Sequence, residues 1–204
     1  MSSNSRDEIL GRVKAALAPL PRRARAPAWE AELVRLRTPA ETDLAATFAE
    51  RLRAVNGTPL KSVAELVALL DRESWHHGYC DPVIWPRLRA AFPPQFKVEL
   101  DFDRARIDEY QFGITPATAA IAETGTVVLT DRDTGRRLGA LAPWVHVAVV
   151  RRAQILPDIT AALAAMPVDP NVIWCTGPSK TADVEGILIE GVHGPGRQIA
   201  LVLD

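Results

Sequence analysis

Cysteine is scarce in this chain: Cys80 and Cys175 are the two present among 204 residues, and neither belongs to a Cys-x-x-Cys pair. The chain therefore cannot supply four cysteine ligands for a zinc or iron–sulfur centre, and any metal-centred redox chemistry would have to reside elsewhere. An excess of either charge is lacking too. Against 24 Lys and Arg stand 25 Asp and Glu, a net charge of −1 with no long-range field to gather phosphate backbones, so nucleic acid is not an expected partner. The one basic cluster, Arg22, Arg23 and Arg25, lies among prolines in a solvated linker. No run is long and apolar enough to span a bilayer, and the opening Met1-Ser2-Ser3-Asn4-Ser5-Arg6-Asp7-Glu8 has no signal-peptide core, so a reducing, cytoplasmic location is expected. Neither the Walker A spacing nor Gly-x-Gly-x-x-Gly occurs, which removes support for nucleoside triphosphates and for Rossmann-type NAD binding.

What is present is the composition of a globular protein with a packed core, 48% hydrophobic and 24% charged. Ile9, Leu10, Val13, Ala16 and Leu17 recur at helical spacing and stop at Pro19, which predicts a short amphipathic helix followed by a Pro/Arg-rich linker. Leu44, Phe48, Leu52 and Val55 form the stripe of a helix from Ala40 to the Asn56-Gly57 stop, and Ser62 caps another that runs to Leu70. Pro86 to Phe92 reads as a short helix. Beyond Phe96 the pattern turns to β-rich runs: 96–100, 126–130, 145–150, 172–176 and 198–203. Val145 to Val150 is nearly apolar on both faces, which suits a strand covered on both sides. The expectation is a layered α/β sheet with helices on both faces. Residues 1–39 form an N-terminal helix and linker, and 40–204 form the α/β domain.

Two loops carry the residues that chemistry would need. In the first, Thr115 reads as an N-cap, Pro116 as the first helical residue, the alanines as a helical run and Gly125 as the terminator, predicting a short helix with Glu123 in its last turn. A carboxylate is unfavourable there. Glu123 is thus either paired on the surface with Arg136, Arg137, Arg151 or Arg152, or faces a cleft as a general base, nucleophile or hydroxyl acceptor. The second loop, Gly177-Pro178-Ser179-Lys180-Thr181, follows an apolar strand and is read as opening a helix over 181–190. Ser179, Lys180 and Thr181 suit a carboxylate or phosphate, although Asp183 and Glu185 in the first turn oppose an anion. A capped helix start without a ligand is the alternative. His193, in the turn Gly191-Val192-His193-Gly194-Pro195-Gly196, is a candidate proton-transfer group, and His146 reads as a hydrogen-bonded core histidine. Adjacent His76 and His77 make poor chelating geometry, and no metal site is expected.

Taken together, Gly113-Ile114-Thr115 through Glu123-Thr124-Gly125-Thr126, then Gly177 through Glu185, then Gly191 to Pro195, resemble the LutC/YkgG branch of the LUD-domain lactate-utilisation family over roughly residues 40–204. The resemblance implies a fold similar to the NagB/RpiA/CoA-transferase-like superfamily. It implies a cluster-free component of a system that oxidises L-lactate to pyruvate alongside iron–sulfur partner proteins, with no cofactor on this chain. The candidate site residues, read from the two loops and the His193 turn, are Glu123 and His193 for catalysis and Thr124, Gly125, Thr126, Gly177, Ser179, Lys180, Thr181 and Asp183 for a small carboxylate or phosphate. The competing readings are a free-standing sugar-phosphate isomerase or CoA-transferase-like enzyme that uses Glu123, and a structural partner with no ligand site.

Overall fold

The computed structural model describes residues 3–19, 43–131, 137–166, 171–182 and 187–204. The chain divides into two units, Met1–Arg35 and Leu36–Asp204. In the first, helix α1 spans Ser3–Leu17, with Ile9, Leu10, Val13 and Leu17 exposed along one side. The Arg-rich segment and the expected helix start at Ala40 lie outside the described residues.

The second unit opens with helix α2, Leu44–Ala54, whose first N–H groups are capped by the Asp43 carboxylate. Asn56 adopts φ 67°, and the Gly57 N–H returns to the Leu52 carbonyl at 2.8 Å, the helix stop predicted for that pair. Strand β1, Thr58–Leu60, leads into α3, Val63–Arg72, with Ser62 capping at the Glu65 N–H. There follow β2 (His77–Cys80), α4 (Trp85–Leu88), β3 (Lys97–Glu99), β4 (Phe112–Pro116), β5 (Ala119–Ile121) and β6 (Thr126–Thr130). The remainder is α5 (Arg137–Leu141), β7 (Val145–Arg151), β8 (Ile155–Leu156), α6 (Ile159–Ala165), β9 (Val172–Cys175), β10 (Lys180–Ala182), β11 (Leu188–Glu190) and β12 (Arg197–Leu203).

Six strands form a wholly parallel sheet in the order β1-β12-β7-β4-β2-β3. A second sheet, β8-β5-β6-β9, is mixed, and β10 and β11 form an antiparallel hairpin. Period-two alternation assigns the faces. Val145, Val147 and Val149 of β7 pack with Leu66 and Leu70 of α3 and Leu88 of α4. Ala148 and Val150 point the other way, into a core shared with Phe48 and Leu52 of α2, Ala140 of α5 and Val127 and Leu129 of β6. The parallel sheet is thus buried on both faces, as its apolar runs require. On the second face, however, a small sheet shares the covering with the helices.

Two predicted helices are strands. Thr115 lies within β4 and Ala119–Ile121 within β5, which pairs antiparallel with β6. The alanines at 117, 119, 120 and 122 are all buried, so their small size serves close packing between the sheets rather than helix propensity. What survives of the helix is one turn, in which the Gly125 N–H reaches the Ile121 carbonyl at 3.0 Å with Gly125 at φ 67°. The segment after Thr181 likewise runs as the hairpin, with Lys180 opposite Glu190 and Thr181 opposite Ile189. Residues 183–186, including Asp183 and Glu185, lie outside the described residues. The β-branched Ile187 and Ile189 flanking Leu188 favour a strand over continuous helix.

At the outer edge of the parallel sheet, Glu99 gathers Lys97 (2.9 Å), both guanidinium nitrogens of Arg106 (3.0 and 3.2 Å), His77 (2.9 Å) and the Tyr110 hydroxyl (3.1 Å). Lys97 first, then Arg106 and His77, hold this carboxyl well below the usual range. The lowered value means that its contribution is complete above the ordinary value of 4.5 and is lost as pH falls further. Glu99→Gln is accordingly expected to cost roughly 1–3 kcal/mol at pH 7 and to flatten the fall in melting temperature below pH 4.5; thermal unfolding of both proteins across acid pH is the measurement.

Candidate functional site

The two loops meet at the end of α2. At Gly125 a Cβ would collide with the backbone of Arg51 and Leu52, and at Gly177, with φ 80°, it would collide with the Val55 carbonyl. Both turns therefore need glycine for close approach as well as for backbone angle. The same Val55 carbonyl accepts the Lys180 ammonium at 3.2 Å, and Glu190 binds Lys180 at 3.6 Å and the Asn56 amide at 2.8 Å. Hydroxyls join the loops directly. Thr124 to Thr126 and Thr126 to Thr176 are each separated by 2.7 Å. Residues some fifty positions apart are thereby locked into one structure. Lys180 completes a helix end here.

Beside this junction lies a cavity of about 360 Å³ walled by Thr176, Gly177, Ser179, His193 and Pro195, with His146 and Gln198 also lining it. Of the residues singled out in the sequence, Gly177, Ser179 and His193 come together there. Thr124, Gly125, Thr126, Lys180 and Thr181 support the junction without lining this cavity, and Asp183 lies outside the described residues. Glu123 is half-buried in the β5–β6 turn, where its N–H donates to the Pro157 carbonyl at 3.0 Å. Among the described residues its carboxylate makes no ion pair: Arg137 takes Asp131, and Arg152 takes Asp43 and Asp204.

His146 is the hydrogen-bonded core histidine that the sequence predicts, but its place in the cavity floor and its pairing with Gln198 are not foreseen there. His146 and Gln198 occupy equivalent second positions on the neighbouring strands β7 and β12 and are paired in register. His146 is buried, with Nδ1 3.0 Å from Gln198 Oε1 and Nε2 2.9 Å from the Thr115 hydroxyl. Gln198 donates its own amide to the Ile199 carbonyl at 3.3 Å, which orients it as the acceptor for His146. Nδ1 therefore carries the proton and Nε2 accepts from Thr115. Burial drives the His146 pKa down to about 4 against the opposing pull of Gln198. Cys175, also in the wall, is pushed up to about 11 by burial and stays a thiol. A polar residue at the same position of two adjacent apolar strands is the signal that sequence inspection offered.

The turn Gly191–Gly196 forms one wall. Ser179 grips it at both ends, donating its N–H to the Pro195 carbonyl and accepting the Gly191 N–H, each at 2.9 Å. On its other side, Cβ atoms at Gly191 or Gly196 would strike the Trp144 indole. His193 is exposed at the tip and also lines a second cavity beyond it. Among the described residues no group of three or more His, Cys, Asp or Glu is placed to hold a metal ion. No described helix is long and apolar enough to cross a membrane.

A parallel sheet overlaid by a smaller mixed sheet, with a ligand-sized cavity between them, defines the class of protein. The chain belongs to the LUD domain family, which it matches over residues 67–203. Proteins named Lactate utilization protein C are similar to it: that of Deinococcus radiodurans is 36% identical over 110 residues, 52% of each chain. That of Bacillus licheniformis is 36% identical over 108 residues, 48% of this chain and 45% of that one, and that of Bacillus subtilis is 37% identical over the same length and shares. The chain spans about half the length of the curated relatives it matches. A solved structure of a DUF162 family protein from Deinococcus radiodurans aligns with a TM-score of 0.54, covering 87% of this chain and 100% of that one at 23% identity, a likeness of fold alone.

Two outcomes follow for the junction and the floor. Gly125→Ala is expected to lower stability by at least roughly 1–3 kcal/mol from backbone strain alone, read as a reduced urea midpoint. For His146, the folded value lies below the ordinary 6.5, so the unfolded chain takes up the proton first on acidification. Stability should be complete above pH 6.5 and decline by roughly 3 kcal/mol towards pH 4; in His146→Gln that decline disappears, and urea midpoints between those two pH values are the check.

Proposed function

We propose that this chain is the cluster-free component of an L-lactate utilisation system and that the cavity between Ser179 and His193 binds a small 2-hydroxy or 2-oxo carboxylate. The observation that carries the ligand class is the lining: hydroxyl, imidazole and amide groups set among apolar side chains, with His193 as the one exposed titratable side chain and no Lys, Arg, Asp or Glu among the described residues. Such a wall suits a neutral or singly charged ligand. It offers too little positive charge for a phosphate dianion, which favours the carboxylate over the phosphate. A volume of about 360 Å³ belongs at the small end of ligand pockets, which run from about 300 to 1,000 Å³.

In this reading the Ser179 hydroxyl donates to the carboxylate. His193 faces the 2-oxygen, where it can take or return a proton. His146 stays neutral and gives the pocket a floor that carries no charge. The name shared by the relatives supports the lactate assignment. Two cysteines leave no cluster site on this chain, so in this reading the two electrons and two protons released as L-lactate becomes pyruvate are taken up outside it, the electrons by the iron–sulfur partner proteins that the family resemblance implies.

Calorimetric titration with L-lactate and with pyruvate tests the reading. At least one should bind saturably, and Ser179→Ala and His193→Ala should each weaken it about tenfold, equivalent to about 1.4 kcal/mol. Absence of binding by both ligands, or affinities indifferent to both substitutions, sinks the carboxylate assignment. Affinity purification from lactate-grown cells should recover iron–sulfur proteins. Loss of growth on L-lactate after deletion of this chain is the companion result.

A further inference from the structure

On the far side of the His193 turn lies a second cavity, of about 500 Å³, which the lactate reading does not use. Trp75, Tyr110 and Trp144 are among its walls, and it shares Leu141, His193 and Gly194 with the smaller one. Trp144 is 46% exposed, so one part of its ring is open to the cavity. It is nevertheless held firmly, since Gly191 and Gly196 provide a bed that any Cβ would spoil, and its carbonyl accepts the Arg197 N–H at 3.1 Å. A rigid, exposed indole is a preorganised stacking platform that loses little entropy on binding.

The polar groups of this cavity divide sharply. Gln111 spends its amide oxygen on the His76 and His77 N–H groups and its nitrogen on the Ser74 carbonyl. The Tyr110 hydroxyl is spent on Glu99 and on the Asp103 N–H. Among the described residues, the side chains left with hydrogen-bonding capacity for a ligand are Asp108, His193 and the indole N–H donors of Trp75 and Trp144, and of these only Asp108 is a carboxylate acceptor. Asp108 is exposed and can accept two donors through its carboxylate.

We infer that this cavity binds a planar heteroaromatic ring system of two or three fused rings, stacked on Trp144, with ring N–H or amino donors turned to Asp108. The same chemistry is offered by a tricyclic isoalloxazine and by a bicyclic purine, and the two differ in how much ring they stack. The inference stands on the second cavity and does not depend on what occupies the smaller one.

The test is titration of the full chain with riboflavin and, separately, with guanosine, following quenching of tryptophan emission. Saturable quenching by riboflavin alone assigns the tricyclic ring, and saturable quenching by guanosine assigns the bicyclic one. For the ring that binds, Trp144→Ala should weaken affinity at least tenfold and Trp144→Phe less. Asp108→Asn, on an exposed side chain and therefore without consequence for folding, should weaken it three- to tenfold. Linear, non-saturating quenching with both probes overturns the inference, as does an affinity unchanged in Asp108→Asn and Trp144→Ala. Pyruvate calorimetry on the Asp108→Asn protein separates the two readings, because each cavity can fail without the other.

Discussion

The end of α2 is where the molecule is fastened. Its final carbonyl, that of Val55, is met by both the Gly177 turn and the Lys180 ammonium, and one turn earlier the Arg51–Leu52 backbone meets Gly125. These contacts bring the small sheet and the hairpin to one helix. The same helix buries Phe48 and Leu52 in the core beneath the parallel sheet. The Thr176–Ser179 side of the cavity wall is therefore referred to one rigid element. Glycine at both contacts leaves no side chain as a spacer, so small errors in this packing would be transmitted directly to Thr176 and Ser179.

A second constraint lies within the sheet. Thr115, His146 and Gln198 come from three neighbouring strands, β4, β7 and β12, and are satisfied chiefly by one another. Between strands whose other residues on that face are glycine, alanine and valine, a slip in register would leave each of these polar groups unpaired in an apolar layer, at a cost of about 1–3 kcal/mol per group. The trio thus specifies alignment. It also supplies a cavity floor of fixed tautomer and no charge, so the polarity a ligand meets there is set by folding.

Strand positions were legible wherever apolar runs were buried on both faces: β6 and β12 fall within a residue of the runs 126–130 and 198–203. So were the caps at Ser62 and Asn56-Gly57, because capping is a local property. The misreadings share a cause. Thr-Pro followed by alanines is a good helix start in isolation, and only the presence of a second sheet makes small residues necessary at 117–122; that information is tertiary. The site was legible in part for the same reason. Gly177, Ser179 and His193 could be picked from turn chemistry, whereas His146 and Gln198 become neighbours only through a parallel pairing that local pattern does not encode.

The position of the cavity also departs from the usual geometry of open parallel sheets, whose ligands sit beyond the carboxyl ends of the strands. His146 and Gln198 are the second residues of their strands, and Pro195 and Leu141 precede those strands, so the cavity opens at the amino ends. The reason is the second sheet. Strand β9 delivers its C-terminal loop across that end, and the β11–β12 turn closes over it through Ser179. The same turn rests on Trp144 on its other side, so the two cavities share one thin wall. That wall is pinned by two hydrogen bonds to Ser179 on one side and rests on the Trp144 indole on the other, so its position is fixed by folded contacts on both faces.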